Sequence, residues 1–271
     1  MRESAVLLVL VAGCGRIGFG ALAGGGIVGD AADAADAMAP CDLRIGAGRE
    51  HLTAVTGGVL RVWGYGAYGQ IGDGQMADRA QPTPIALGAP VAYAAGGRYE
   101  TCAALAGGDA WCWGEGTSGQ LGDGNTTTRA TAVKVANVAG VEEVAVAAVH
   151  ACARVGGAVW CWGDGSSGRL GNGQNTSSPI PVQVTGLTTA TTISAGGSTT
   201  CAILADQTLR CWGYNQQGGV GINSTTDVAS PMEPIGLPAV RSVSPRDRST
   251  SAVRLDGAVF CWGAEDLGQC G

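Results

Sequence analysis

From about residue 44 onward, short apolar stretches alternate with glycine-rich breaks, and no stretch reads as an amphipathic helix. One unit shows the order. A first segment ends in Ala95-Gly96-Gly97, a second run is Cys102-Ala103-Ala104-Leu105, and a third ends in Trp113-Gly114. A loop carrying Leu121-Gly122-Asp123-Gly124 then leads to Ala132-Val133-Lys134-Val135, matched one unit later by Pro181-Val182-Gln183-Val184. Apolar runs bounded by Gly and Asp predict strands joined by tight turns. The fourth segment accepts proline, so it predicts an outer strand.

The pattern recurs. Trp-Gly stands at Trp63, Trp113, Trp162, Trp212 and Trp262, at separations of 50, 49, 50 and 50 residues. A period held that closely is the mark of a repeat architecture, and four strands in about 50 residues make one blade of a β-propeller. The large tryptophan is expected to fill the wedge between neighbouring sheets, with glycines letting the backbone turn and approach it. In repeat four the terminal turn reads Gly221-Ile222-Asn223-Ser224 and looks degenerate. Composition agrees with an all-β class: 47 of 271 residues are glycine and only 14% are charged. The net charge is −6 and Lys134 is the only lysine, which argues against a nucleic-acid partner.

A Cys-Ala-Leu-like strand, then Val-Trp-Cys-Trp-Gly, then Gly-Gln-Leu-Gly-Asp-Gly resembles the repeat of the regulator of chromosome condensation family, over roughly residues 43–271. The resemblance implies a propeller, usually of seven blades. Some members promote nucleotide exchange on a small GTPase, and some exported bacterial ones inhibit β-lactamases. Here there are five repeat signatures, and no Pro-Val segment follows the fifth. The expectation is an all-β propeller in which five blades form a small closed ring, an open arc or an incomplete one. An open arc would expose strand edges.

The first residues, MRESAVLLVLVAGC, place Arg2 before an apolar run from Ala5 to Val11. That run is too short to span a bilayer and fits a signal-peptide core. Val11-Ala12-Gly13-Cys14 resembles the lipobox of bacterial lipoproteins, in which the cysteine is acylated and becomes the mature N-terminus; an ordinary cleaved signal is the alternative. The predicted organisation is a signal peptide over 1–13, a Gly/Ala/Asp-rich flexible tether over 14–40, and the repeat domain over 41–271. The mature chain is expected to be exported to the cell envelope, held by a lipid on Cys14, or secreted.

Ten cysteines in an exported chain predict disulfides. Cys102 with Cys112, Cys152 with Cys161, and Cys201 with Cys211 occupy the two arms of successive hairpins, where facing Cα atoms lie within disulfide range. Repeat one carries Thr53 and Val62 in both slots, the joint loss that a bridge predicts. Repeat five sets Ser251 opposite Cys261, leaving Cys41, Cys261 and Cys270. A Cys41–Cys270 link joining the ends of the array is preferred over Cys261–Cys270. No Cys-x-x-Cys pair exists, so zinc is disfavoured and no metal or other cofactor is expected.

Comparing repeats slot by slot singles out His51, Glu100, His150, Thr199 and Ser249, two residues before the first cysteine slot. One reading gives the histidines a structural hydrogen bond at a strand end; the other makes the five residues a ligand-binding ring at one end of a central channel. No catalytic set is present: Gly-x-Ser-x-Gly, His-Glu-x-x-His and the Walker loop are all missing. Asp73 and Asp123 sit in Asp-Gly turns where local hydrogen bonding accounts for them. The leading functional expectation is a non-enzymatic protein-binding propeller at the cell envelope. Its contact loops would lie at 75–84, 125–133 and 173–181. The alternatives are a channel-based enzyme or glycan-binding protein, and a repeat fragment without a function of its own.

Overall fold

The computed structural model describes residues 43–246, 248–264, 268 and 270. They form five antiparallel sheets placed side by side in chain order. Blade 1 comprises β1 (Arg44–Ala47), β2 (His51–Thr56), β3 (Val59–Gly64) and β4 (Arg79–Ile85). Blade 2 has β5 (Val91–Gly96), β6 (Glu100–Leu105), β7 (Ala110–Gly114) and β8 (Arg129–Lys134). Blade 3 has β9 (Glu143–Val146), β10 (His150–Val155), β11 (Ala158–Gly163) and β12 (Ser178–Gln183). Blade 4 has β13 (Ala190–Gly196), β14 (Thr199–Leu204), β15 (Leu209–Gly213) and β16 (Val228–Met232). Blade 5 keeps three described strands, β17 (Val240–Pro245), β18 (Ser249–Arg254) and β19 (Val259–Gly263). The expected signal segment, Cys14, the tether and Cys41 lie outside the described residues.

Four buried clusters fill the four seams between successive blades, each with a tryptophan: Trp113, Trp162, Trp212 and, less deeply, Trp262. The tryptophan belongs to the later blade and its indole N–H reaches back across the seam. It donates to the carbonyl of Gln70, Gln120, Arg169 or Gly219 at 2.9–3.0 Å, a residue 42 or 43 positions earlier in the preceding blade's loop. The glycine two residues after Gln70 or Gln120 is obligatory. A Cβ on Gly122 would lie 2.8 Å from the Trp162 Nε1, and its φ of +70° already disfavours any side chain. The glycine of each Trp-Gly pair holds φ near +105° to +111°, in blades 1–4 at a β-bulge, with the carbonyl just before the second strand pressed against it. Aromatic bulk and backbone without Cβ are thus two halves of one joint. The unusual turn of repeat four keeps this geometry: Asn223 takes the left-handed conformation, φ +53°, which asparagine tolerates and which glycine supplies elsewhere.

The faces that would meet in a closed five-bladed ring are both exposed. Val259 on the forward face of blade 5 is 70% exposed, whereas its counterparts Leu60, Ala110 and Val159 are wholly buried. On the backward face of blade 1, Leu52 is 37% exposed where Thr101, Ala151 and Thr200 are fully buried. The five blades therefore stand as an open arc.

Three hairpin bridges join facing strand positions: Cys102–Cys112, Cys152–Cys161 and Cys201–Cys211, with Cα separations of 4.0–4.1 Å. All six cysteines are buried in the seams. The fourth bridge corrects an expectation: Cys270 pairs with Cys261, Cα to Cα 5.2 Å, and not with Cys41. Cys261 and Cys270 are nine residues apart in sequence, so the cysteine nearer along the chain takes the bond.

Candidate functional site

The five slot residues begin the second strand of each blade, yet they do not form one ring of ligands. His51 lies in the seam between blades 1 and 2, its Nε2 2.9 Å from Thr101 Oγ1. Thr101 in turn donates to the Gln70 carbonyl at 2.8 Å, so its oxygen accepts from the imidazole and His51 carries its proton on Nε2. His150 repeats the contact one seam pair further on, 2.7 Å from Thr200 Oγ1. Burial pushes the His51 pKa down to about 4 and that of His150 to about 3, the latter helped by the Arg169 charge. Both imidazoles are neutral struts between blades.

Glu100 occupies the same slot in blade 2, but its neighbour position in blade 3 is Ala151, which has no hydroxyl. One carboxyl oxygen accepts from the Tyr99 N–H at 2.9 Å; the other is buried without a partner. Burial raises its pKa well above the ordinary carboxylate range. Thr199 donates to the Tyr214 carbonyl at 3.1 Å, and only half-buried Ser249 reaches the inner cavity. Each perturbed group is thus isolated in its own seam. Among the described residues, no three His, Cys, Asp or Glu side chains lie close enough to hold a metal ion. Asp73 and Asp123 cap their own turns, accepting from the N–H groups of Gln75 and Asn125, and pair with Arg79 and Arg129.

Of the three expected contact loops, only the first part of each is a loop; residues 79–84, 129–133 and 178–181 are outer strands at the blade rim. A different surface stands out. On the end of the arc where the Trp-Gly loops lie, Tyr65 and Tyr68 of blade 1 meet Tyr99 of blade 2. The rings of Tyr68 and Tyr99 stack at 4.4 Å, with Tyr65 tilted against both at 6.1–6.3 Å. The Arg98 guanidinium lies 5.0 Å from the Tyr99 ring centre, and its bond to the Tyr99 side chain holds its pKa above the usual arginine value. These three tyrosines, of five in the chain, come from three different repeat positions; one unit on, Glu115, Ser118 and Val149 stand there. Tyr68 and Tyr99 depart from the other repeats, whereas the slot of Tyr65 is tyrosine again at Tyr214.

The innermost strands line a cavity of about 1060 Å³, its wall mixing Gly, Ala and Ser with the larger Ile45, Tyr93, Val144, Val146 and Ile193. At one end, the loops leading to the second strands are tied blade to blade: Arg49 N–H to Gly97 O at 2.9 Å, Arg98 N–H to Ala147 O and Ala148 N–H to Gly197 O at 3.2 Å.

Side-by-side sheets of three or four described strands around an inner cavity, stapled by one tryptophan per seam, define a β-propeller of tryptophan–glycine repeats. Residues 107–153 and 156–203 match the family model described as Regulator of chromosome condensation (RCC1) repeat, and residues 190–218 match a second model of the same description. Residues 107–218 thus carry repeats of this family. No curated protein matches the sequence. Among solved structures, human WBSCR16 superposes with a TM-score of 0.71 at 20% identity over 82% of this chain and 62% of its own. Yeast RCC1 (Prp20) bound to Kap60 gives 0.72 at 21% over 84% and 57%, and Prp20p of Saccharomyces cerevisiae alone gives 0.73 at 22% over 84% and 58%. At these identities the likeness is one of fold. The chain spans about three-fifths of the length of these structures.

Proposed function

We propose that this protein is a non-catalytic recognition module that binds another protein through the end of the arc bearing Tyr65, Tyr68 and Tyr99. The tyrosine cluster carries the reading. Tyrosine and arginine dominate binding hot spots because they offer large, rigid, partly polar contact area at low entropic cost. The repeat scaffold does not need these rings, since the other seams close without them. Two neighbours support the class of activity: yeast RCC1 is seen bound to Kap60, and Prp20p is described with its binding to Gsp1p and histones. Four disulfides fit an oxidising compartment, which argues against a cytosolic GTPase as partner here. No described helix is long and apolar enough to cross a membrane. The lipobox-like Val11-Ala12-Gly13-Cys14 supports anchoring at the cell envelope through a lipid on Cys14.

A photo-crosslinking residue at position 68 tests the recognition surface in the exported chain. A discrete adduct at position 68, lost in Tyr99→Ala and absent with the probe at rim position Ile180, is the expected result. Equal labelling from both positions would count against the tyrosine face. Release of the Cys14→Ala protein from the membrane fraction tests the anchor.

A further inference from the structure

The inner cavity has a one-sided charge that the slot residues do not explain. In a protein of net charge −6, the charged residues lining it are Arg49, Arg98, Arg246 and Arg248, and no described Asp or Glu is among them. All four belong to the loops between first and second strands, so they gather at one end of the cavity, contributed by blades 1, 2 and 5. Arg98 and Arg246 make no ion pair with any described residue, and Arg49 has only an exposed contact with Glu50 at 3.5 Å. Below the rim the wall mixes small residues such as Gly46, Ala95 and Ser194 with Ile45, Tyr93 and Ile193, around a space of about 1060 Å³ into which a chain can enter. A concave surface lined by one sign of charge focuses the field and concentrates ions of the opposite sign.

The arrangement also says which anion. A compact phosphate is held by backbone N–H groups converging on one point. Here the loop N–H groups of Arg49, Arg98 and Ala148 are already spent on carbonyls of the next blade. What remains is guanidinium charge spread around a mouth, which matches carboxylates spaced along a chain. The Tyr65–Tyr68–Tyr99 patch is joined to this rim through Arg98.

We infer that the cavity mouth receives an acidic, extended segment of the protein partner, whose carboxylates pair with Arg98, Arg246 and Arg49. This deepens the recognition reading and rests on it.

The test uses the full oxidised chain and a fluorescein-labelled oligoglutamate peptide, followed by anisotropy at low salt. Binding should weaken about tenfold in Arg98→Ala or Arg246→Ala and about a hundredfold in the double variant, and should fall steeply with added salt. Both side chains are exposed, so an unchanged thermal midpoint checks that folding is intact. Pyrophosphate should displace the peptide only at much higher concentration. Failure of the wild type to bind, equal binding by the double variant, or displacement by pyrophosphate at lower concentration than peptide would each overturn the acidic-segment assignment. A persistent adduct at position 68 alongside such a failure would leave protein recognition standing and remove only this partner chemistry.

Discussion

Gly122→Ala puts the seam joint to a quantitative test. The new Cβ would lie 2.8 and 2.9 Å from Nε1 and Cδ1 of Trp162 and 3.0 Å from Val135 Cγ1, all within a fully buried cluster. Holding alanine at φ +70° costs about 1 kcal/mol. Moving Trp162 away breaks its 2.9 Å bond to the Gln120 carbonyl and leaves a buried donor unpaired, about 2 kcal/mol more. Gly186 separates the two effects: its φ is +72°, but a Cβ there meets nothing within 4 Å, so Gly186→Ala should cost only the backbone part. Urea unfolding followed by tryptophan fluorescence reads the difference. With a slope near 3 kcal/mol per molar, the midpoint should fall by about 1 M for Gly122→Ala and about 0.3 M for Gly186→Ala. Equal losses would refute the claim that tryptophan–glycine contact holds the blades together.

Three further outcomes follow from the same seams. His51 and His150 have folded pKa values below their unfolded value of about 6.5, so protonation favours the unfolded chain: stability is full above pH 6.5 and falls as pH drops, by about 2 kcal/mol per histidine at pH 5. His150→Gln should remove about half of that pH-dependent loss in urea midpoints measured between pH 7.5 and 5, and an unchanged slope would refute it. Glu100 works in the opposite sense, its raised folded pKa stabilising the fold at low pH and losing that contribution as pH rises. Glu100→Gln should therefore gain about 1–2 kcal/mol at pH 7.5 and less at pH 5, whereas a loss at pH 7.5 would show that the carboxylate is well accommodated. Thr53→Cys with Val62→Cys would install in blade 1 the bridge its neighbours have, since the two positions face each other across β2 and β3. For a loop of about ten residues it should add about 2–3 kcal/mol, lost on reduction; failure to oxidise would argue against the common hairpin geometry.

The architecture was open to reading because a blade is a local object. Its four strands are consecutive, so the 49- and 50-residue period, the Trp-Gly pairs and the paired cysteine slots all lie along one short piece of chain. Hence the three hairpin bridges were legible: Cys102 and Cys112 face each other through a single turn. Cys270 was not, because its partner depends on where the chain goes after β19. The turn of repeat four looked degenerate in letters but not in dihedral angles, since Asn223 can adopt what glycine adopts.

Function divides along the same line. Sequence alone determined an all-β repeat protein, its number of blades, its tryptophan wedges and its hairpin disulfides, because each follows from neighbours within about fifty residues. Only the tertiary structure decided what lies between blades. It put His51 against Thr101 and His150 against Thr200, leaving Glu100 against an alanine, where matching letters allow either a structural hydrogen bond at a strand end or a ring. It also brought Tyr65, Tyr68 and Tyr99 together from unlike repeat positions and gathered the arginines of three blades at one mouth. Contacts across a seam pair positions that differ in every repeat, and the packing angle of the sheets, absent from the linear pattern, sets which of them meet.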